Sequence, residues 1–170
     1  MSSTPSWGAW SAGTNASSGE APRIEDELWK RERAESIAKI AVGFIALAGS
    51  QANAMAVVEA LHDGMAAELV YPLAGTDPEP KVIAIVPPTG PMHGHDVRMA
   101  LMLTRDALVA YGILRPTGEQ LQAALLGGEV PVPGIRTVEF RGVLRRRADG
   151  LNWGQIASER YHRPAVTKID

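Results

Sequence analysis

From residue 24 onward the apolar positions fall into alternating patterns, and each pattern predicts an element. Between residues 24 and 48, Ile37, Ile40, Ala41, Phe44, Ile45 and Ala48 recur at intervals of three and four, the spacing of one helical face. Glu25, Asp26 and Glu27 open that helix with the charge sign that suits its N-terminus. Gly49 and Ser50 interrupt it, and Ser50 is placed to cap a second helix from Gln51 to about His62. Ala52, Met55, Val58 and Leu61 would form its buried face, and Gly64 would end it.

The period then changes. "AELVYPL" and "KVIAIV" are short, apolar and rich in β-branched residues, and "AGTDPEP" between them has turn composition. The pair predicts an antiparallel hairpin, with Pro72 marking an edge strand. Next comes "VPPTGPMHGHDV", residues 86–97. Its prolines stop ladder donation, its glycines permit tight turns, and Asp96 is a good N-cap type for a helix from Val97 to Tyr111. Met99, Leu103, Ala107 and Ala110 would face inward there, with Ala100, Leu101 and Leu108 beside them, before Gly112 ends the helix.

Thr117 with Gln120 three residues on has the form of a capping box. Leu121, Ala124 and Leu125 give the following helix its apolar stripe, and Gly127-Gly128 ends it. "EVPVPGIRTVEF" predicts a second short hairpin around Pro133-Gly134, and "GVLRRRADG" and "NWGQIASERY" predict two short closing helices. The fold class expected is therefore α+β, a mostly helical core with one or two short β-hairpins. Its bounds are residues 23–160, one compact domain, with residues 1–22 as a flexible Ser/Gly/Ala-rich tail and 161–170 as a C-terminal tail.

Composition narrows the function classes. There is no cysteine, which excludes disulfides, thiol catalysis and thiolate metal sites. The net charge of −2 gives no global attraction to nucleic acid or anionic lipid. The apolar run Ile40–Ala48 is nine residues long, short of the roughly 20 that a membrane span needs, and reads as a buried helix face. Residues 1–22 show neither a charged n-region nor an apolar h-region, so a cytoplasmic location is expected.

Three places carry candidate chemistry. His93, His95 and Asp96 put two imidazoles and a carboxylate on one loop, a start on a zinc or nickel site that would need a further ligand such as His62. The same loop resembles a phosphate cradle in its glycines but lacks the Gly-Lys-Ser/Thr that such loops use. Against both stands a turn that starts a helix. The C-terminal part is basic: residues 141–170 carry +4, against −6 for the remainder. There Ile156-Ala157 and Val166-Thr167-Lys168 follow the outline of a helix-turn-helix, and Arg145, Arg146, Arg147, Arg163 and Lys168 would meet phosphates. The competing expectation is a short helix docked by Trp153 and Ile156, with the three consecutive arginines in solvent. In the N-terminal tail, Trp7 and Trp10 are candidate anchors for a protein partner. No GxSxG or HExxH motif occurs.

The stretches "AGSQANAMAVVEALHDG", "PPTGPMHGHDVRMALML", "GILRPTGEQLQAALLGGEV" and "GVLRRRADGLNWGQIA" resemble a family of small proteobacterial proteins with no established activity. Many members resemble exported proteins with a signal peptide, so the resemblance implies a periplasmic location where the N-terminus implies the cytoplasm. Members usually show a Met-Gly-aromatic-Gly-Asn-Val pattern where this chain has Met92-His93-Gly94-His95-Asp96-Val97, which implies that the loop's shared role is turn geometry and capping.

The function expected is thus non-enzymatic: an interaction, structural or accessory protein that uses no cofactor and whose partner is another protein. DNA binding through the basic C-terminus and a metal-dependent enzyme built on the histidine loop are the alternatives.

Overall fold

The computed structural model describes residues 24–72, 79–132 and 134–159. Helix α1 spans Ile24–Val42, α2 is the single turn Ile45–Ala48, and α3 spans Gln51–Asp63. Strands β1 (Ala67–Tyr71) and β2 (Lys81–Ile85) pair antiparallel. Helices α4 (Gly94–Val109) and α5 (Gly118–Leu126) follow, then β3 (Gly128–Val132) and β4 (Ile135–Phe140), also antiparallel. Helices α6 (Val143–Ala148) and α7 (Trp153–Ser158) close the described chain. The fold is α+β with a mostly helical core and two separate two-stranded sheets.

The caps explain where several helices start. Ser50 accepts the Asn53 N–H at 3.1 Å, as its position predicts. Thr117 and Gln120 close the expected capping box, and Asn152 with Gln155 forms another at the start of α7. The first helix departs from expectation: it is broken at Gly43-Phe44 instead of running to residue 48. The Gly43 and Phe44 N–H groups bond three residues back, to Ile40 and Ala41, and this tightening turns the chain. Both sides of the break stay apolar, so periodicity does not register it.

The inward faces of α3 and α4 are rotated from those expected. In α3 the buried positions are Asn53, Ala54, Val57, Val58, Ala60 and Leu61, while Ala52 is exposed. In α4 they are Val97, Ala100, Leu101, Leu103, Thr104 and Leu108, while Ala110 is exposed. Thr104 is buried because its hydroxyl donates to the Ala100 carbonyl at 2.8 Å and so is satisfied within the helix.

Two-stranded sheets have only edges, and side-chain amides occupy them. Val70 lies opposite Val82, and its N–H and C=O bond to the Asn53 side chain at 2.9 and 3.0 Å. Asn53 also donates to the Ala48 carbonyl at 3.1 Å, so one buried amide joins α2, α3 and β1. Gln122 donates to the Ala84 carbonyl of β2, and Gln120 to the Pro131 carbonyl of β3. These bonds stand where a third strand would pair. Pro72 lies just past the end of β1, and the irregularity at Pro131 sits between Val130 and Val132.

Helix α5 lies among α4, α6, β2 and β3, and Leu121, Ala123, Ala124 and Leu125 are all buried. Two glycines allow these close approaches. A Cβ on Gly118 would stand 2.5 Å from Ile83 Cγ1 and 2.7 Å from the Tyr71 ring. One on Gly142, whose φ is +75°, would stand 2.4 Å from the Leu126 carbonyl carbon. The buried apolar residues, from Ile37 to Ile156, form one cluster. Among the described residues no helix is long and apolar enough to cross a membrane.

Candidate functional site

The loop after β2 is built by its neighbours. Pro87 and Met92 are buried, and the Met92 N–H is shared between the Leu61 and His62 carbonyls at 3.1 and 3.2 Å. Gly64, at φ +67°, lies against Pro91 so closely that a Cβ would stand 2.7 Å from the Pro91 nitrogen. The end of α3 therefore abuts this loop. Helix α4 starts at once beyond it, with His93 in the N-cap position and no side-chain cap. Gly94 packs against α1, where a Cβ would stand 3.3 Å from Ile40 Cδ1.

Asp96 is thus not the cap that its residue type suggests. It lies inside the first turn of α4, and its Oδ1 accepts the indole N–H of Trp153 at 2.7 Å. A carboxylate in a first turn suits the helix dipole, but the partner that fixes it comes from α7. The Arg147 guanidinium stacks over the Trp153 ring at 5.1 Å and donates to the Leu151 carbonyl at 3.1 Å. Pro88, Thr89, Pro91, His93, Asp96 and Arg147 line an open groove of about 450 Å³ between the loop and α6.

Among the described residues, His62, His93 and His95 do not converge. His93 at the N-cap and His95 in the first turn of α4 are both exposed. His62 does end its helix against this loop, but its Nδ1 lies 2.9 Å from Asp63 Oδ1. Asp63 also pairs with Arg33 of α1. The His62 hydrogen bond and then the Arg33 guanidinium hold the Asp63 carboxyl below its ordinary value. Among the described residues no group of three or more His, Asp or Glu is placed to hold a metal ion.

The basic run is divided. Arg145 is exposed, as expected. Arg146 is instead half-buried and pairs with Glu159 at 2.8 Å, and Arg147 is held on Trp153. The expectation that all three lie in solvent is corrected for these two, because α7 brings Glu159 and Trp153 onto α6. Ile156 is buried and docks α7 as its type predicts. Arg163 and Lys168, with the outlined recognition helix, lie outside the described residues, as do Trp7 and Trp10.

A surface absent from the sequence reading is on α1. Ile37, Ile40 and Ala41 bury one face of this helix. At about 100° per residue, positions 24, 28, 31, 35, 38 and 42 lie on the opposite face. Ile24, Leu28 and Val42 are 80, 53 and 65 % exposed, Arg31 and Glu35 are exposed, and Ala38 is half-buried. Trp29 lies not on this face but on the side of Ile40, and is 64 % exposed. The 3-4 spacing of this outward face was readable, but its charged centre hides it from a search for apolar residues alone. No family model, curated protein or solved structure matches the chain.

Proposed function

We propose that this protein is a non-enzymatic interaction protein, an accessory or structural subunit, and that α1 is its contact element. The observation that carries the reading is the exposed outward face of a 19-residue helix whose other face holds it to the core. A helix with a second apolar-bearing face in solvent is a standard form of protein recognition element. The tail that precedes it bears Trp7 and Trp10, which on this reading extend the same contact. The pairing of Arg146 with Glu159 and the stacking of Arg147 on Trp153 favour this reading over nucleic-acid binding, since both cations already have partners.

The test is site-specific photo-crosslinking in cells. A photoreactive residue in place of Leu28 or Val42 is expected to give a discrete protein adduct, and one in place of the exposed Arg145 is not. Absence of adducts from positions 28 and 42, or the same adducts from position 145, would overturn the reading.

A further inference from the structure

Resting on the reading of α1 as the contact element, we propose that its partner is a second copy of this chain, joined through the outward faces of the two α1 helices in an antiparallel two-fold pair. The face runs Ile24, Leu28, Arg31, Glu35, Ala38, Val42, with steps of four and three, the spacing of a helix-pair seam. In an antiparallel pair centred on residue 33, Ile24 meets Val42 of the second copy, Leu28 meets Ala38, and Arg31 meets Glu35. The two-fold axis repeats each contact, so the seam has six layers: apolar at both ends and two opposite-charge pairs in the middle. On the flank Glu27 meets Lys39 of the other copy. Ala38, small and half-buried, leaves room for the longer Leu28 side chain opposite it.

The charges also select the arrangement. A parallel pair would set Arg31 against Arg31 and Glu35 against Glu35. Sliding the antiparallel pair by one heptad would set Leu28 against Arg31 and Ile24 against Glu35, or Val42 against Arg31. Only the register centred on residue 33 matches every layer. The helix is about 28 Å long, so the interface is small, below the roughly 1,200 Å² of standard stable complexes. The pair is therefore weak and reversible, with a dissociation constant on the order of micromolar to tens of micromolar.

Sedimentation equilibrium on the full chain, from about 1 to 300 μM to bracket that affinity, reads the association directly. The expected result is a monomer–dimer equilibrium. Leu28→Glu should abolish it without moving the thermal melt, because Leu28 is exposed in the single chain. Arg31→Glu should weaken it about tenfold or more, through repulsion from Glu35, and adding Glu35→Arg should restore it. Orientation is read by cysteine cross-linking, since the chain has no cysteine of its own. A mixture of Ile24→Cys and Val42→Cys should oxidise mainly to the mixed dimer, and Ile24→Cys alone should not cross-link. A monomer at every concentration, a charge exchange that fails to restore association, or preferential cross-linking of Ile24→Cys to itself would overturn the proposal. If the chain stays monomeric while position 28 still cross-links another polypeptide in cells, the second-copy proposal fails and the contact-element reading survives. If neither occurs, both fail.

Discussion

Trp153 of α7 donates its indole N–H to Asp96 of α4 at 2.7 Å, across a separation of 57 residues. This bond fixes the last described helix to the first turn of a central one. Asp96→Ala should destabilise the fold by about 1–2 kcal/mol, the cost of losing a partly buried hydrogen bond to a charged acceptor. Asp96→Asn keeps an acceptor and should cost less than half as much. Urea unfolding of the three proteins checks the ranking, and equal losses for Ala and Asn would mean that charge at the helix start matters more than the bond.

Asn53 is 4 % exposed and makes three bonds to the backbone through its amide, to Ala48 and twice to Val70. Asn53→Leu leaves the buried Ala48 carbonyl and the partly buried Val70 groups without this partner and should cost about 3 kcal/mol. Amide exchange at Val70 should accelerate with it. Unchanged protection there would show that the strand edge does not depend on this side chain.

Gly118→Ala would usually favour a helix, by about 1 kcal/mol. Here the added methyl meets Ile83 and the Tyr71 ring, so the change should instead destabilise by about 1–3 kcal/mol. Gly112→Ala is the comparison, because among the described residues nothing lies within 4 Å of its Cβ position and its φ of +75° opposes the change. Thermal melts of the two variants check whether crowding or backbone conformation costs more.

Among the described residues, Asp63 and Tyr71 contribute to opposite limbs of the stability–pH curve. Burial pushes the Tyr71 phenol from 10.0 up to about 12. The neutral form is the one favoured in the folded chain, so this stabilisation is present below the ordinary value and is lost as pH rises through about 12. Among the described residues the Tyr71 hydroxyl has no hydrogen-bond partner, so Tyr71→Phe should leave neutral-pH stability nearly unchanged and flatten the alkaline limb. Asp63 is the reverse case: its carboxyl is held below 3.8, so its contribution is present above that value and is lost as pH falls below it. Asp63→Asn should flatten the acid limb. Denaturation midpoints from pH 2 to 12, the span of these carboxyl and phenol titrations, test both, and unaltered limbs would place the pH sensitivity elsewhere.

Local chemistry was the legible part of the sequence. Ser50 and the Thr117–Gln120 box mark helix starts through bonds that span three residues, and both are found in place. The turn compositions located both hairpins. What was not legible depends on partners distant in the chain. Asp96 has the residue type of a cap, and only the packing of α7 shows that it holds Trp153. Ala52 and Asn53 are adjacent in sequence, and apolarity alone chooses the wrong one, because the edge of β1 at Val70 is met by an amide. At the candidate surface, Arg31 and Glu35 read as solvated charges until the burial of Ile37, Ile40 and Ala41 fixes which way α1 faces.

The contact of Gly64 with Pro91, together with the Met92 N–H on the Leu61 and His62 carbonyls, brings the chain back to the place it left. Residues 65–90 are thus a closed excursion with a pinched neck. Length added between the paired strands β1 and β2 enlarges a ring whose ends are already joined, and each doubling of a flexible loop costs only about 0.6 kcal/mol in closure entropy. The helices on either side of the neck would keep their spacing. Chain length can vary between β1 and β2, whose buried residues are part of the core, without altering the frame that holds α1, whereas a single methyl at Gly64 would force the neck apart.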